Sequence, residues 1–96
     1  MSKITGEGMK NVLDTMHGIF VTKNQKYGGS FESSLDKYGS IAALVRIGDK
    51  FNRVENLIIN SDDGTPDESV IDTLIDMANY CVMTAVYMQA GGVSNE

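Results

Sequence analysis

The apolar residues of this chain recur at spacings of three and four, and the alternation that marks a strand is weak throughout. Between Gly8 and Lys23 the sequence places Met9, Val12, Leu13, Met16, Ile19 and Phe20 in one stripe, the pattern of an amphipathic helix. Between Ile41 and Ile59, Leu44, Ile47, Phe51, Val54 and Ile58 form a second stripe, with Ser40 ahead of it as an N-cap. Asn60-Ser61-Asp62-Asp63-Gly64 reads as a turn. Thr65-Pro66-Asp67-Glu68 then reads as a helix start in which Thr65 caps, Pro66 sits in the first turn and Glu68 closes a capping box. That helix runs to about Gln89, where Gly91-Gly92 stops it. Residues 24–40 break the period, although 32–38 has room for one or two helical turns ended by Gly39. The expectation is an all-α fold of three main helices, with 41–59 and 66–89 forming a long antiparallel hairpin.

At 96 residues the chain is a single helical domain, 1–96, with 1–7 and 91–96 as tails. It is 42% hydrophobic and 22% charged, too apolar to be disordered. A chain this short buries only about 60–70% of its unfolded surface. Six Met and no Trp make for a thin core, so a homo-oligomer is expected to supply the rest. Cys81 is the one cysteine, which excludes an internal disulfide and a Cys-based zinc site and fits a reducing compartment. It lies among apolar helix residues and is expected in the core. No apolar run approaches the roughly 20 residues that span a bilayer, and none near Met1 has the length of a signal peptide. A cytoplasmic location without membrane contact is expected.

The net charge of −5 and pI of about 4.7 argue against a duplex nucleic-acid partner, because such binders neutralise phosphates with Lys and Arg. The charge is unevenly placed. All eight basic side chains and five acidic ones lie in residues 1–53, for a net +3, whereas residues 54–96 carry eight acidic side chains and no basic one. At about 100° per residue, Arg46, Asp49, Arg53 and Asn56 share a sector of about 80° on the second helix, and Glu68, Asp72, Asp76 and Asn79 share one on the third.

Two readings follow. In one, Arg46 and Arg53 simply pair with Asp72 and Asp76 and hold the hairpin together. In the other, the seam is a polar site where carboxylates hold Mg²⁺ and Arg46, Lys50 and Arg53 reach the oxygens of a phosphorylated ligand, since hard cations take oxygen ligands and the guanidinium fork suits phosphate. Capping alone explains Glu68. Around Gly28 and Gly29, Lys26 and backbone N–H groups are candidates for phosphate, with Tyr27, Phe31 or Tyr38 stacking on a base. No Walker pattern is present, and the lone His17, just off its helix stripe, reads as a surface residue outside any nucleophilic relay.

Three segments carry a resemblance: Lys26-Tyr27-Gly28 with Ser30-Phe31; Arg46-Ile47-Gly48-Asp49-Lys50-Phe51-Asn52-Arg53; and Glu68-Ser69 with Asp72 through Tyr80. Together they resemble the phage-associated nucleotide modification associated domain family, over roughly residues 10–88. The resemblance implies a phage or prophage origin, a place in the cytoplasm of the infected host, and a role in handling nucleotides. A looser likeness is to all-α, MazG-like nucleotide pyrophosphohydrolases. These are oligomers that hold Mg²⁺ with Glu and Asp on two helices and split nucleoside triphosphates. The second helix departs from that pattern, offering Asp49 and Glu55 six residues apart in place of a Glu-x-x-Glu pair.

Three functions are therefore open. A Mg²⁺-dependent hydrolase would use Asp49, Asp72 and Asp76 catalytically, hold its metal with Glu68, Asp72 and Asp76, and bind phosphate with Lys26, Arg46, Lys50, Arg53 and Asn79. A non-catalytic binder would use the same cations to sequester a nucleotide, for example a cyclic or ADP-ribose-type immune signal in anti-defence. An oligomeric adaptor would use the polar seam only for assembly.

Overall fold

The computed structural model describes residues 2–61 and 68–92, and within them every regular element is a helix. Four helices follow in order: α1 (Gly6–Tyr27), α2 (Ser30–Tyr38), α3 (Ile41–Ile59) and α4 (Glu68–Gln89). The expected all-α class and the α3/α4 hairpin are both present, and the one or two helical turns allowed for residues 32–38 form a short helix, α2, ended by Gly39 beside the three main ones.

The boundaries follow from local chemistry. Thr5 caps α1, its Oγ1 accepting from the N–H of Gly8 at 3.0 Å, so the helix starts earlier than its apolar stripe. It also ends later. Asn24 to Tyr27 carry no hydrophobic period yet stay helical until Gly28, whose φ of 64° and ψ of −159° favour a residue without Cβ. Gly39, at φ 76°, ends α2 with its N–H on the carbonyl of Leu35. Ser40 holds the expected N-cap place of α3 but has helical dihedrals and makes no side-chain cap, so the chain turns from α2 almost directly into α3. At the far end of α4, Gly91 at φ 80° sends its N–H to the carbonyl of Met88, and the Gly92 N–H reaches that of Tyr87. That pair of bonds is a Schellman motif. The cap expected from Thr65 and Pro66 lies outside the described residues.

The centre of the molecule is small. Leu35, Ala42 and Ala43 are buried together, with Phe31, Ile47 and Tyr87 packed against them. Along α4 the residues turned toward this centre are Val70, Thr73, Met77, Tyr80, Thr84 and Tyr87, each buried or half-buried and spaced alternately by three and four. That spacing is how one helix lies along another. Thr73 and Thr84, both buried, return their hydroxyls to carbonyls four residues back, those of Ser69 and Tyr80, at 2.7 Å each. Their hydroxyl protons are thereby placed within α4 itself. The helix α1 lies on α4 at Met16, which is buried, and the amide of Asn79 donates to the Met16 carbonyl at 3.2 Å. The ring of Phe31 meets Tyr80 edge-on at 4.9 Å, joining α2 to α4.

Cys81 departs from expectation: it is exposed. The helix carrying it is apolar on most of its circumference, and within one chain only the sides toward α1, α2 and α3 are covered.

Candidate functional site

The polar contacts between helices gather on one side of the α3/α4 hairpin, and Asp76 is at their centre. Its Oδ2 lies 3.5 Å from Lys50 Nζ on α3, and its Oδ1 lies 3.7 Å from Lys23 Nζ on α1. Three helices thus place charged groups around one carboxylate. Lys50 and Asp76 are each about one-third exposed, at 30% and 31%, while Lys23 is more open. One turn away Arg53 crosses from α3 to α4, its Nε donating to Thr73 Oγ1 at 3.2 Å.

The local reason is helix geometry. On α3, Lys50 and Arg53 are three residues apart and lie on one side of the buried Val54, so both stand toward one margin of the face that meets α4. On α4, Asp76 adjoins Met77 and Tyr80, which belong to the packed seam. Lys23 lies seven residues after the buried Met16, two turns along the same face of α1.

The simple arginine–aspartate pairing is not what forms. Lysines take Asp76, Arg53 goes to a threonine hydroxyl, and Arg46 and Asp72 are exposed and make no ion pair among the described residues. Asn79 stands at this level of α4, but its amide is engaged by α1. Asp49, Asn52, Arg53 and Asn56 line an open groove of about 600 Å³ that continues along α3 to Asn60 and Ser61.

The aromatic candidates separate. The ring of Phe31 is occupied by Tyr80. Tyr27 ends α1 and Tyr38 ends α2, both largely exposed, and the ammonium of Lys37 lies 5.4 Å from the centroid of the Tyr38 ring. Lys26 is exposed in the last turn of α1.

The carboxylates do not converge. Glu68, in the first turn of α4, and Asp72 are exposed, while each oxygen of Asp76 faces a lysine. Among the described residues no group of three His, Cys, Asp or Glu side chains comes together to hold a metal ion. Among the described residues, then, no ready-made carboxylate cage is present, and a magnesium ion here would be held by one or two carboxylates together with a ligand's phosphates.

Two ammonium groups share one carboxylate at 3.5 and 3.7 Å, with the exposed carboxylates of Asp49 and Asp72 one residue and one turn away along their helices. Closed N⁺–H···O⁻ bonds run at about 2.7–2.9 Å, and an ammonium has three N–H donors. Each lysine therefore keeps most of its donor capacity for another anion. Sequence reasoning missed Lys23, whose two-turn offset from Met16 was the available signal.

A second polar contact ties α2 to α4. The hydroxyl of Tyr87 donates to the carboxylate of Asp36. That bond, with some burial and the nearby charges of Asp36 and Glu32, pushes the Tyr87 phenol up from 10.0 to about 12. It fastens the last turn of α4 beside the buried Leu35.

Membrane insertion finds no support in the helices, since none of those described is long and apolar enough to cross a bilayer. No curated protein and no solved structure matches the chain. A family model does match, over residues 23–88, from Lys23 in the last turns of α1 to the end of α4, a span that includes the whole Lys23–Asp76–Lys50 junction. The chain belongs to the nucleotide modification associated domain 1 family.

Proposed function

We propose that this protein binds a phosphorylated nucleotide on the polar side of the α3/α4 hairpin and holds it without turning it over. Lys23 and Lys50 grip phosphate oxygens, Arg53 and Arg46 extend the cationic track, and the exposed ring of Tyr27 or Tyr38 is available to a base. The observation that carries this reading is the junction in which two lysines stand at open distances from one carboxylate. An arriving phosphate completes their hydrogen bonds, and charge-assisted bonds of this kind are about twice as strong as neutral ones. Membership of a nucleotide modification associated family supports a nucleotide as the class of ligand. Sequestration of a nucleotide, including an anti-defence role against a nucleotide signal, is the biological form this binding would take.

Magnesium-dependent hydrolysis is the second reading. One observation favours it: Glu68, Asp72 and Asp76 stand one turn apart along α4, so three carboxylates follow one another on one face. The two readings separate in a thermal-shift series with nucleoside mono-, di- and triphosphates, run in EDTA and again in Mg²⁺, with chromatography of the released ligand. The binding reading expects a shift in EDTA that grows with phosphate number and a ligand recovered intact. A ligand at 100 times its dissociation constant adds about 2.7 kcal/mol, worth roughly 11–22 °C in a domain of this size. A shift seen only with Mg²⁺, with a shortened product, would replace sequestration by hydrolysis. Absence of any shift across the series would remove both.

A further inference from the structure

The side of the hairpin opposite Lys50 and Asp76 is apolar on both helices. On α3, Leu44, Phe51 and Ile58 follow one another every seven residues. On α4, Ile71, Leu74, Ala78, Cys81 and Ala85 repeat at spacings of three and four. This is a second seam, turned by about 100° from the seam that joins the two helices. Its large side chains are between 42% and 65% exposed. The α4 half carries no charge over about four turns, and on α3 Glu55 stands one turn after Phe51, about 40° off its line.

We propose that a second copy of this chain covers this face, so that two α3/α4 hairpins form a four-helix bundle. Three observations name that occupant. The first is area. The chain exposes 7313 Å², against about 5,400 Å² for a compact monomer of its mass. That excess of about 1,900 Å² is spread over the whole chain and this face holds part of it; burying about 1,000 Å² or more on each copy reaches the 2,000–5,000 Å² total of obligate homodimers. The radius of gyration, 15.2 Å, likewise exceeds the roughly 12.5 Å of a compact domain of this length.

The second is shape. The α3 half offers bulky Leu44, Phe51 and Ile58, while the middle of the α4 half offers small Ala78, Cys81 and Ala85. A two-fold axis that lays α3 of one copy on α4 of the other sets large against small along the middle of the seam. The third is charge. Each copy carries −5, so copies repel except through a surface free of charge, and the α4 seam is such a surface. The polar side stays open on both copies, and the dimer does not depend on the nucleotide reading.

Light scattering with size-exclusion chromatography on the full chain tests this, together with the protein-concentration dependence of Tm. The expected result is twice 10.4 kDa and a Tm that rises with concentration, because unfolding then also dissociates the chains. Leu44→Asp and Ile71→Asp are expected to abolish the dimer, while Leu13→Asp, on the exposed stripe of α1, leaves it intact. If the charged variants unfold, the truncations decide: Leu44→Ala combined with Ile71→Ala is expected to weaken the dimer at least about a hundredfold, each copy losing two half-exposed side chains from the interface. A monomer with a concentration-independent Tm overturns the proposal. So does a dimer that Leu13→Asp dissociates, or one whose dissociation constant the truncations leave unchanged.

Discussion

Replacing Asp76 with Asn separates the cost of the junction from its use. The carboxylate faces Lys50 at 3.5 Å and Lys23 at 3.7 Å, with Lys23 61% exposed and Lys50 30% exposed. Screening by solvent puts the Lys23 pair at a few tenths of a kcal/mol and the Lys50 pair near the upper end of the range for exposed pairs, about 1 kcal/mol. Asp76→Asn is therefore expected to destabilise the fold by about 1–1.5 kcal/mol, lowering Tm by about 5–10 °C. The loss should shrink at high salt, because these charges are only partly buried. Nucleotide binding should move the other way. A phosphate about 6 Å from the missing carboxylate is relieved of about 0.7 kcal/mol of repulsion even at the dielectric of bulk water, so affinity should rise about threefold or more. The assay is calorimetric titration of a nucleoside triphosphate in EDTA, beside thermal melts at low and high salt. An unchanged Tm would show that Asp76 does not hold the lysines. Loss of binding with the fold intact would show that the carboxylate grips the ligand or its metal.

Three further outcomes are expected. The phenol of Tyr87 should titrate at about 12 in the folded protein. A raised folded value favours the protonated form, so this contribution to stability is full below about pH 10 and lost as pH climbs through about 12; ultraviolet titration of Asp36→Asn should show one tyrosine returning toward the ordinary range. Asn79→Ala removes the hydrogen bond to the Met16 carbonyl, costing about 1 kcal/mol, and amide exchange should quicken in α1 while α3 keeps its protection. Gly28→Ala places a Cβ at φ 64°, ψ −159°, a region essentially reserved for glycine, and should cost about 1–3 kcal/mol, read as a lower denaturant midpoint at unchanged slope.

The parts of the fold legible in the sequence are those with a hydrophobic period and a glycine stop. The limits of α3 follow directly from its stripe, and the end of α4 from Gly91 and Gly92. Asn24 to Tyr27 are not legible as helix because their polar side chains carry no period. Their backbone continues α1 until Gly28 permits the turn. Cys81 misleads for a different reason: an apolar helix reads as buried, and nothing in the pattern says which of its faces is covered within one chain. At the site, Lys50, Arg53 and Asp76 are legible as a polar seam. Their partners are not, because Lys23 sits on a helix whose packing angle against α4 is tertiary information. Asn79 reads toward a ligand, and its amide turns instead to the backbone of α1. The roles of Asp72 and Glu68 stay with the hydrolytic reading, since geometry leaves both apart from the lysine junction.

The most direct measurement is calorimetric titration of the full chain with a nucleoside triphosphate in EDTA, compared with Lys23→Ala combined with Lys50→Ala, followed by chromatography of the cell contents. The account predicts metal-independent binding by the parent chain, with the triphosphate recovered whole. In the double variant binding should be at least about a hundredfold weaker, about tenfold for each charge-assisted hydrogen bond that the missing ammonium would have donated. Equal affinity in the two proteins would contradict the account, as would a ligand shortened during the titration.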